Sequence, residues 1–167
     1  CPGFAGVTKS SEFSHAVPDI LTSQGTVRSD RSRYNHQSTI HIEVRDKDVK
    51  GLGTLQIVAD ASEGDSELLN LVERPSGSGI FEGTVPTQPG GTTVTPGPIG
   101  DGVLQVRHGS EVAITYFDDD HGSGVPMSVE KVVAIDSEPP VVTGLDITSV
   151  GGTFAVLNLT TDEPVRA

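Results

Sequence analysis

Strict alternation of apolar and polar residues is the feature that most limits how this chain can fold. Between Ser38 and Arg45, the apolar residues Ile40, Ile42 and Val44 alternate with polar or charged ones. Successive side chains of a β-strand point to opposite faces, so this period of two predicts a strand with one buried face. Similar short runs recur at residues 54–60, 67–73, 80–85, 103–106, 111–117 and 128–135.

Turn-rich segments separate these runs, for example Pro75–Gly79 and His121–Gly124. The chain contains 20 Gly and 11 Pro, with 4% aromatic residues and no Trp. Gly and Pro interrupt helices, which argues against a helical bundle. Seven short strands joined by frequent turns predict an all-β fold, an antiparallel β-sandwich.

The pattern divides the chain into three segments. Residues 1–24 show no clear period and predict an irregular N-terminal connector, whereas the sandwich is predicted over residues 25–136. Within it, Gln88–Gly102 holds several Pro and Gly residues and predicts a long surface loop, the most suitable place for a binding function. The third segment, residues 137–167, begins at the stiff Pro139-Pro140 spacer.

This third segment predicts an incomplete β module. Val141–Val150 and Thr153–Thr161 indicate two strands around the turn Gly151-Gly152. Two strands alone are marginally stable in water. We therefore expect either that the rest of the module is missing or that another chain supplies the completing strands.

Net charge, hydrophobicity and cysteine content indicate whether the chain binds nucleic acid, spans a membrane or carries an anchor. The net charge is −12, and the Arg28, Arg31 and Arg33 cluster indicates solvated surface, so no nucleic-acid binding is expected. No run of 18 apolar residues occurs, so no transmembrane segment is expected. The single cysteine, Cys1, is a candidate site for a lipid anchor, a thiol whose partner lies elsewhere, or simply a chain boundary.

Carboxylates cluster where two predicted strands end. The residues concerned are Asp46, Asp48, Asp118, Asp119 and Asp120. If the two strands are neighbours, these acids converge at one pole of the sandwich and repel one another unless a cation lies among them. Ca²⁺ suits such oxygen ligands, so the cluster predicts a calcium site. Two alternatives stay open: ordinary turn acids, and a transition metal bound with His121.

No catalytic motif is recognisable in the chain. Gly77-Ser78-Gly79 and Gly122-Ser123-Gly124 are turn sequences without the helix that a nucleophile elbow requires. The five histidines are scattered, and no metal-binding or phosphate-binding motif accompanies them. We therefore expect a protein that is not an enzyme.

Several motifs resemble a known architecture. Ile40–Asp48, Gly79–Val85, Asp101–Val106 and Val112–Asp120 resemble an immunoglobulin-like repeat of large bacterial secreted and cell-surface proteins, over residues 25–136. Pro139–Val142 and Ala155–Pro164 are similar to the first strands of a fibronectin type III-like module, although Leu159 stands where that pattern usually has Trp.

This resemblance implies a structural role outside the cell or at its surface. The first hypothesis is a non-catalytic accessory module, stiffened by calcium, whose partners are other domains of a parent protein. The alternatives are a subunit of an extracellular assembly that completes its fold by strand exchange with neighbours, or a protein- or carbohydrate-binding module.

Overall fold

A computed structural model of the protein describes residues 23–90, 100–122 and 124–163. The described residues are all-β and contain no helix. Cys1, nearly all of the predicted connector and residues 91–99 of the predicted loop lie outside the described residues. The strands are β1 (Thr26–Ser29), β2 (Arg33–Tyr34), β3 (Thr39–Arg45), β4 (Thr54–Ala61), β5 (Ser66–Glu73), β6 (Ile80–Pro89), β7 (Leu104–Val106), β8 (Glu111–His121), β9 (Val125–Ile135), β10 (Val142–Val150) and β11 (Ala155–Thr161).

Nine of these strands form one continuous hydrogen-bonded β-sheet. Its order is β1-β3-β6-β5-β4-β8-β9-β2, with β7 added to the end of β6. The long pairs are antiparallel, whereas the short pairs β2–β9 and β6–β7 are parallel. β1 also contacts β8 and β9, so the two ends of the sheet approach each other. The result is a sandwich-like all-β fold that encloses one core.

The alternation recognised in the sequence is what builds this core. In β3, Ile40, Ile42 and Val44 are buried, and the residues between them face outwards. β8 supplies Val112, Ile114 and Tyr116 in the same way. The other large apolar side chains that are fully buried are Phe81, Ile57, Leu71, Leu104, Ile135, Val85 and Val106.

The strand boundaries differ from the prediction at two places. β8 continues through Asp118–Asp120 to His121, where the sequence predicted a turn after Phe117. It remains a strand because β9 begins early, at Val125, and pairs with this extension. β6 runs on to Pro89, beyond the predicted strand, because its last residues pair with β7 at an edge where Pro needs no partner.

β10 and β11 form a separate two-stranded sheet. Leu145 lies opposite Leu159, and Ile147 lies opposite Leu157. Residues opposite each other share a face, so these four side chains form one apolar surface, which we call the hairpin face. Each of them is more than half exposed to solvent.

Candidate functional site

The predicted acids lie at one end of the sandwich, which we call the aspartate pole. Asp46 follows β3, and Asp118 lies near the end of β8; their side chains are buried, with exposures of 2% and 1%. Asp48 and Asp119 are exposed, and Asp120 is half-buried. Alternation along β8 turns Asp119 away from Asp118, so the five carboxylates do not all face one point.

Residues 23–25 lie between the two buried aspartates. Ser23 donates its hydroxyl to Asp46 Oδ1 (2.7 Å) and its backbone N–H to Asp48 Oδ2 (2.6 Å). The same hydroxyl oxygen accepts the N–H of Lys47 at 2.9 Å. Asp46 and Asp48 therefore anchor the chain just before it enters β1.

Gly25 reaches the second aspartate. Its N–H donates to Asp118 Oδ2 at 2.8 Å, in a buried hydrogen bond. A β-carbon at this position would lie 2.7 Å from both Asp118 Oδ2 and Tyr116 Cε1. Only glycine allows the backbone to come this close, which explains the residue type here.

Tyr116 connects this pole to the core. Its hydroxyl donates to Asp46 Oδ2 at 2.7 Å, and both side chains are buried. Burial raises the pKa of Tyr116 above its ordinary value of 10.0, and the hydrogen bond to Asp46 and the nearby negative charges act in the same direction. The hydroxyl thus remains a donor to Asp46 at neutral pH.

His121 pairs with Asp118 on the other side of the pole. Its Nδ1 lies 2.8 Å from Asp118 Oδ2, while Asp118 Oδ1 accepts the N–H of Asp120 at 3.0 Å. Burial opposes ionisation of Asp118, but the N–H donors of Asp120 and Gly25, together with His121, outweigh it and keep the pKa of Asp118 below its usual value. Asp118 is therefore held as a carboxylate.

Glu73, which sequence reasoning missed, orders the turns beside the pole. Its Oε1 accepts the N–H groups of Gly51 and Gly79, both at 2.8 Å. These two bonds lower the pKa of Glu73 from 4.5 to about 2. Gly79 in turn accepts the N–H of Asp46 at 2.9 Å. An acid on the inward side of a strand is the sequence signal that could have identified it.

The aspartate pole is thus a hydrogen-bonded clamp. Both oxygens of Asp46 and both oxygens of Asp118 accept hydrogen bonds from groups of the chain itself. Among the residues that the structure describes, no three or more Asp, Glu, His or Cys side chains are grouped as metal ligands. Calcium at Asp46, Asp48, Asp118, Asp119 and Asp120 stays a prediction.

A second set of charges lies where the sandwich meets the spacer. Asp136 Oδ2 lies 3.3 Å from Arg33, and Asp136 Oδ1 lies 3.5 Å from Nδ1 of His108. His108 also approaches Glu138 at 3.7 Å. These partly exposed ion pairs connect β2, the segment after β7 and the residues that precede the spacer. Their role is therefore to hold neighbouring segments together.

Comparison of the chain with protein-family models and with curated proteins finds no match in either case. Nothing in the described part of the chain forms a helix of sufficient length and apolar character to span a bilayer.

Proposed function

We propose that this chain is a non-catalytic structural module of a larger bacterial protein that is secreted or displayed at the cell surface, and that other domains of that protein are its partners. The observation that carries the proposal is the hairpin face. An isolated two-stranded sheet with one apolar side is stabilised only when another surface covers that side.

Other contacts in the described part of the chain support a structural role more than a catalytic one. The buried acids of the aspartate pole accept hydrogen bonds that fix the entry of the chain into β1. Asp136 and Arg33 tie the exit of β9 to β2. Both contacts fix the direction in which the chain enters and leaves the sandwich, which is what a spacer requires.

Divalent cation binding belongs to the same proposal, because the chain contains 23 acidic residues and only 11 basic ones, and this excess of carboxylates favours cations. At the aspartate pole, the exposed Asp48 and Asp119 and the half-buried Asp120 offer the most accessible oxygens. Calcium bound there would reduce the repulsion among these carboxylates and stiffen the pole.

The second candidate is an assembly subunit, and the hairpin face favours it equally. In this case a neighbouring copy would cover Leu145, Ile147, Leu157 and Leu159 by adding strands or packing face to face. The two candidates differ in what covers the face, which is either another domain of the same polypeptide or a second molecule.

Sedimentation velocity at several concentrations separates the two candidates. For the spacer we expect a monomer at every concentration, and limited proteolysis that cuts within residues 137–163 while residues 26–135 resist. For the assembly subunit we expect oligomers whose population rises with concentration. Leu145→Ser should abolish these oligomers, whereas the control Asn158→Ser, on the opposite face of the hairpin, should keep them. Equal protection of both segments in a monomer would contradict both candidates.

A further inference from the structure

A different pair of acids lies at the opposite end of β5 from the aspartate pole. Asp65 immediately precedes β5, and Glu67 is its second residue; both side chains are completely buried. Strand residues advance about 3.3 Å each, so Glu67 lies roughly 20 Å from Glu73 at the other end. The pair is therefore separate from the acids described above.

Each carboxylate has one satisfied oxygen and one unsatisfied oxygen. Asp65 Oδ2 accepts the N–H of Gln105, and Glu67 Oε2 accepts the N–H of Gly102, both at 2.7 Å. Asp65 Oδ1 and Glu67 Oε1 are buried without a hydrogen-bond partner, and so is Oε1 of Gln105. Two of these three unpartnered oxygens belong to acids that accept N–H groups from residues 102–105, and the third belongs to a side chain of that same segment.

The neighbouring acid Glu63 shows what is missing here. Glu63 lies 3.2 Å from Arg107, and its pKa is lowered because hydrogen bonds from Ser110, Ser62 and Arg107 outweigh the effect of burial. Within the part of the chain that the structure describes, no Lys, Arg or His pairs with Asp65 or Glu67. Burial of a carboxylate without a counter-charge is destabilising, and a cation bound at the unpartnered oxygens would offset this cost for both acids at once.

We propose that Asp65, Glu67 and Gln105 bind a calcium ion through their unpartnered oxygens. All three ligands are hard oxygen donors, and Ca²⁺ accepts such mixtures of carboxylate, amide carbonyl and water in loose geometry. No nitrogen or sulfur ligand is among them, which disfavours zinc and copper. The ion would link the start of β5 to residues 102–105 and so close this end of the sandwich.

The inference goes beyond the proposed function, because it concerns neither the aspartate pole nor the hairpin face. Thermal melting of the full chain in chelator and in 10 mM CaCl₂ (about 100 times a Kd of about 10⁻⁴ M, the usual range for extracellular modules) tests it. For the wild type we expect calcium to raise Tm by about 5–10 °C. Calcium titration by calorimetry measures the affinity and the number of sites.

Matched variants locate the ion. Glu67→Gln should lose the part of the calcium response that comes from this pair and should melt no lower than the wild type in chelator, because it removes a buried charge that has no partner. Asp60→Asn, which removes an exposed charge from β4, should keep the full response. The double variant Asp119→Asn, Asp120→Asn, which removes the cation ligands proposed at the aspartate pole, should keep the part of the response that depends on Glu67.

Three outcomes would overturn the inference. Identical wild-type melting in calcium and chelator, with no heat of binding, would show that no calcium binds at this pair. A response that survives in Glu67→Gln but disappears in the double variant would place calcium at the aspartate pole instead. A Glu67→Gln variant that melts lower in chelator and still responds to calcium would make Glu67 an acceptor of structural hydrogen bonds only.

Discussion

Replacing Tyr116 with Phe tests whether the clamp at the aspartate pole stabilises the fold. The change removes one hydroxyl, which donates to Asp46 Oδ2 at 2.7 Å between two buried side chains. A buried hydrogen bond to a charged acceptor contributes about 1.5–3 kcal/mol, so we expect the free energy of unfolding to fall by about that amount. Urea unfolding followed by circular dichroism measures it.

Tyr34→Phe is the matched control, because Tyr34 also donates its hydroxyl to an aspartate, Asp30. The Tyr34 hydroxyl also accepts the N–H of Arg31 at 3.1 Å. Because the side chain of Asp30 is 37% exposed and Arg31 is exposed, water can replace the hydroxyl at both partners, and we expect a decrease below about 1 kcal/mol. Asp46→Asn combined with Tyr116→Phe should cost less than the sum of the two single changes, since they break the same contact. Equal and small effects at Tyr116 and Tyr34 would refute the reasoning.

Two further predictions concern acid stability and the core. The folded pKa of Glu73 is about 2, below its ordinary 4.5, so its contribution is complete above pH 4.5 and is lost as the pH falls through 2. In the wild type, the urea midpoint should therefore fall between pH 4.5 and 2, and Glu73→Gln should reduce this fall. Glu82→Gln, on the exposed side of β6, should leave the fall unchanged. If the urea midpoint changes with pH equally in the wild type and in Glu73→Gln, the prediction is wrong. Phe81→Ala should lower the free energy of unfolding by about 3–5 kcal/mol, and Phe117→Ala, with Phe117 57% exposed, by less than about 1 kcal/mol; similar losses would argue against the described core.

The all-β sandwich could be predicted because apolar and polar residues alternate in the sequence wherever alternate side chains of a strand face the core and the solvent. β3 shows the pattern clearly, since every second residue faces the core. β1 was missed because Val27 is the only apolar residue among its four, and β2 because two residues cannot display a period. Those short strands form through pairing with β3 and β9, which a local sequence pattern does not reveal.

The candidate site was predictable only in part. The sequence indicated that Asp46 and Asp118 lie near strand ends, and the structure places both at one pole. It could not indicate that Ser23 and Gly25 lie between them, because those hydrogen bonds join residues 23 and 93 positions apart. The unpartnered oxygens of Asp65 and Glu67 likewise depend on where residues 102–105 pass, which no spacing rule specifies.

The parallel pairing of β2 with β9 has a mechanical consequence. Ala134 donates to the carbonyl of Ser32, and Asp136 donates to the carbonyl of Tyr34, so these bonds lie side by side between the first and last parts of the sandwich. If tension reaches β2 from its N-terminal side and β9 from its C-terminal side, these parallel neighbours slide lengthwise past each other, and their bonds resist together. Antiparallel neighbours pulled from a shared end would separate one bond at a time. A module with the spacer role proposed above would gain resistance to tension from this pairing.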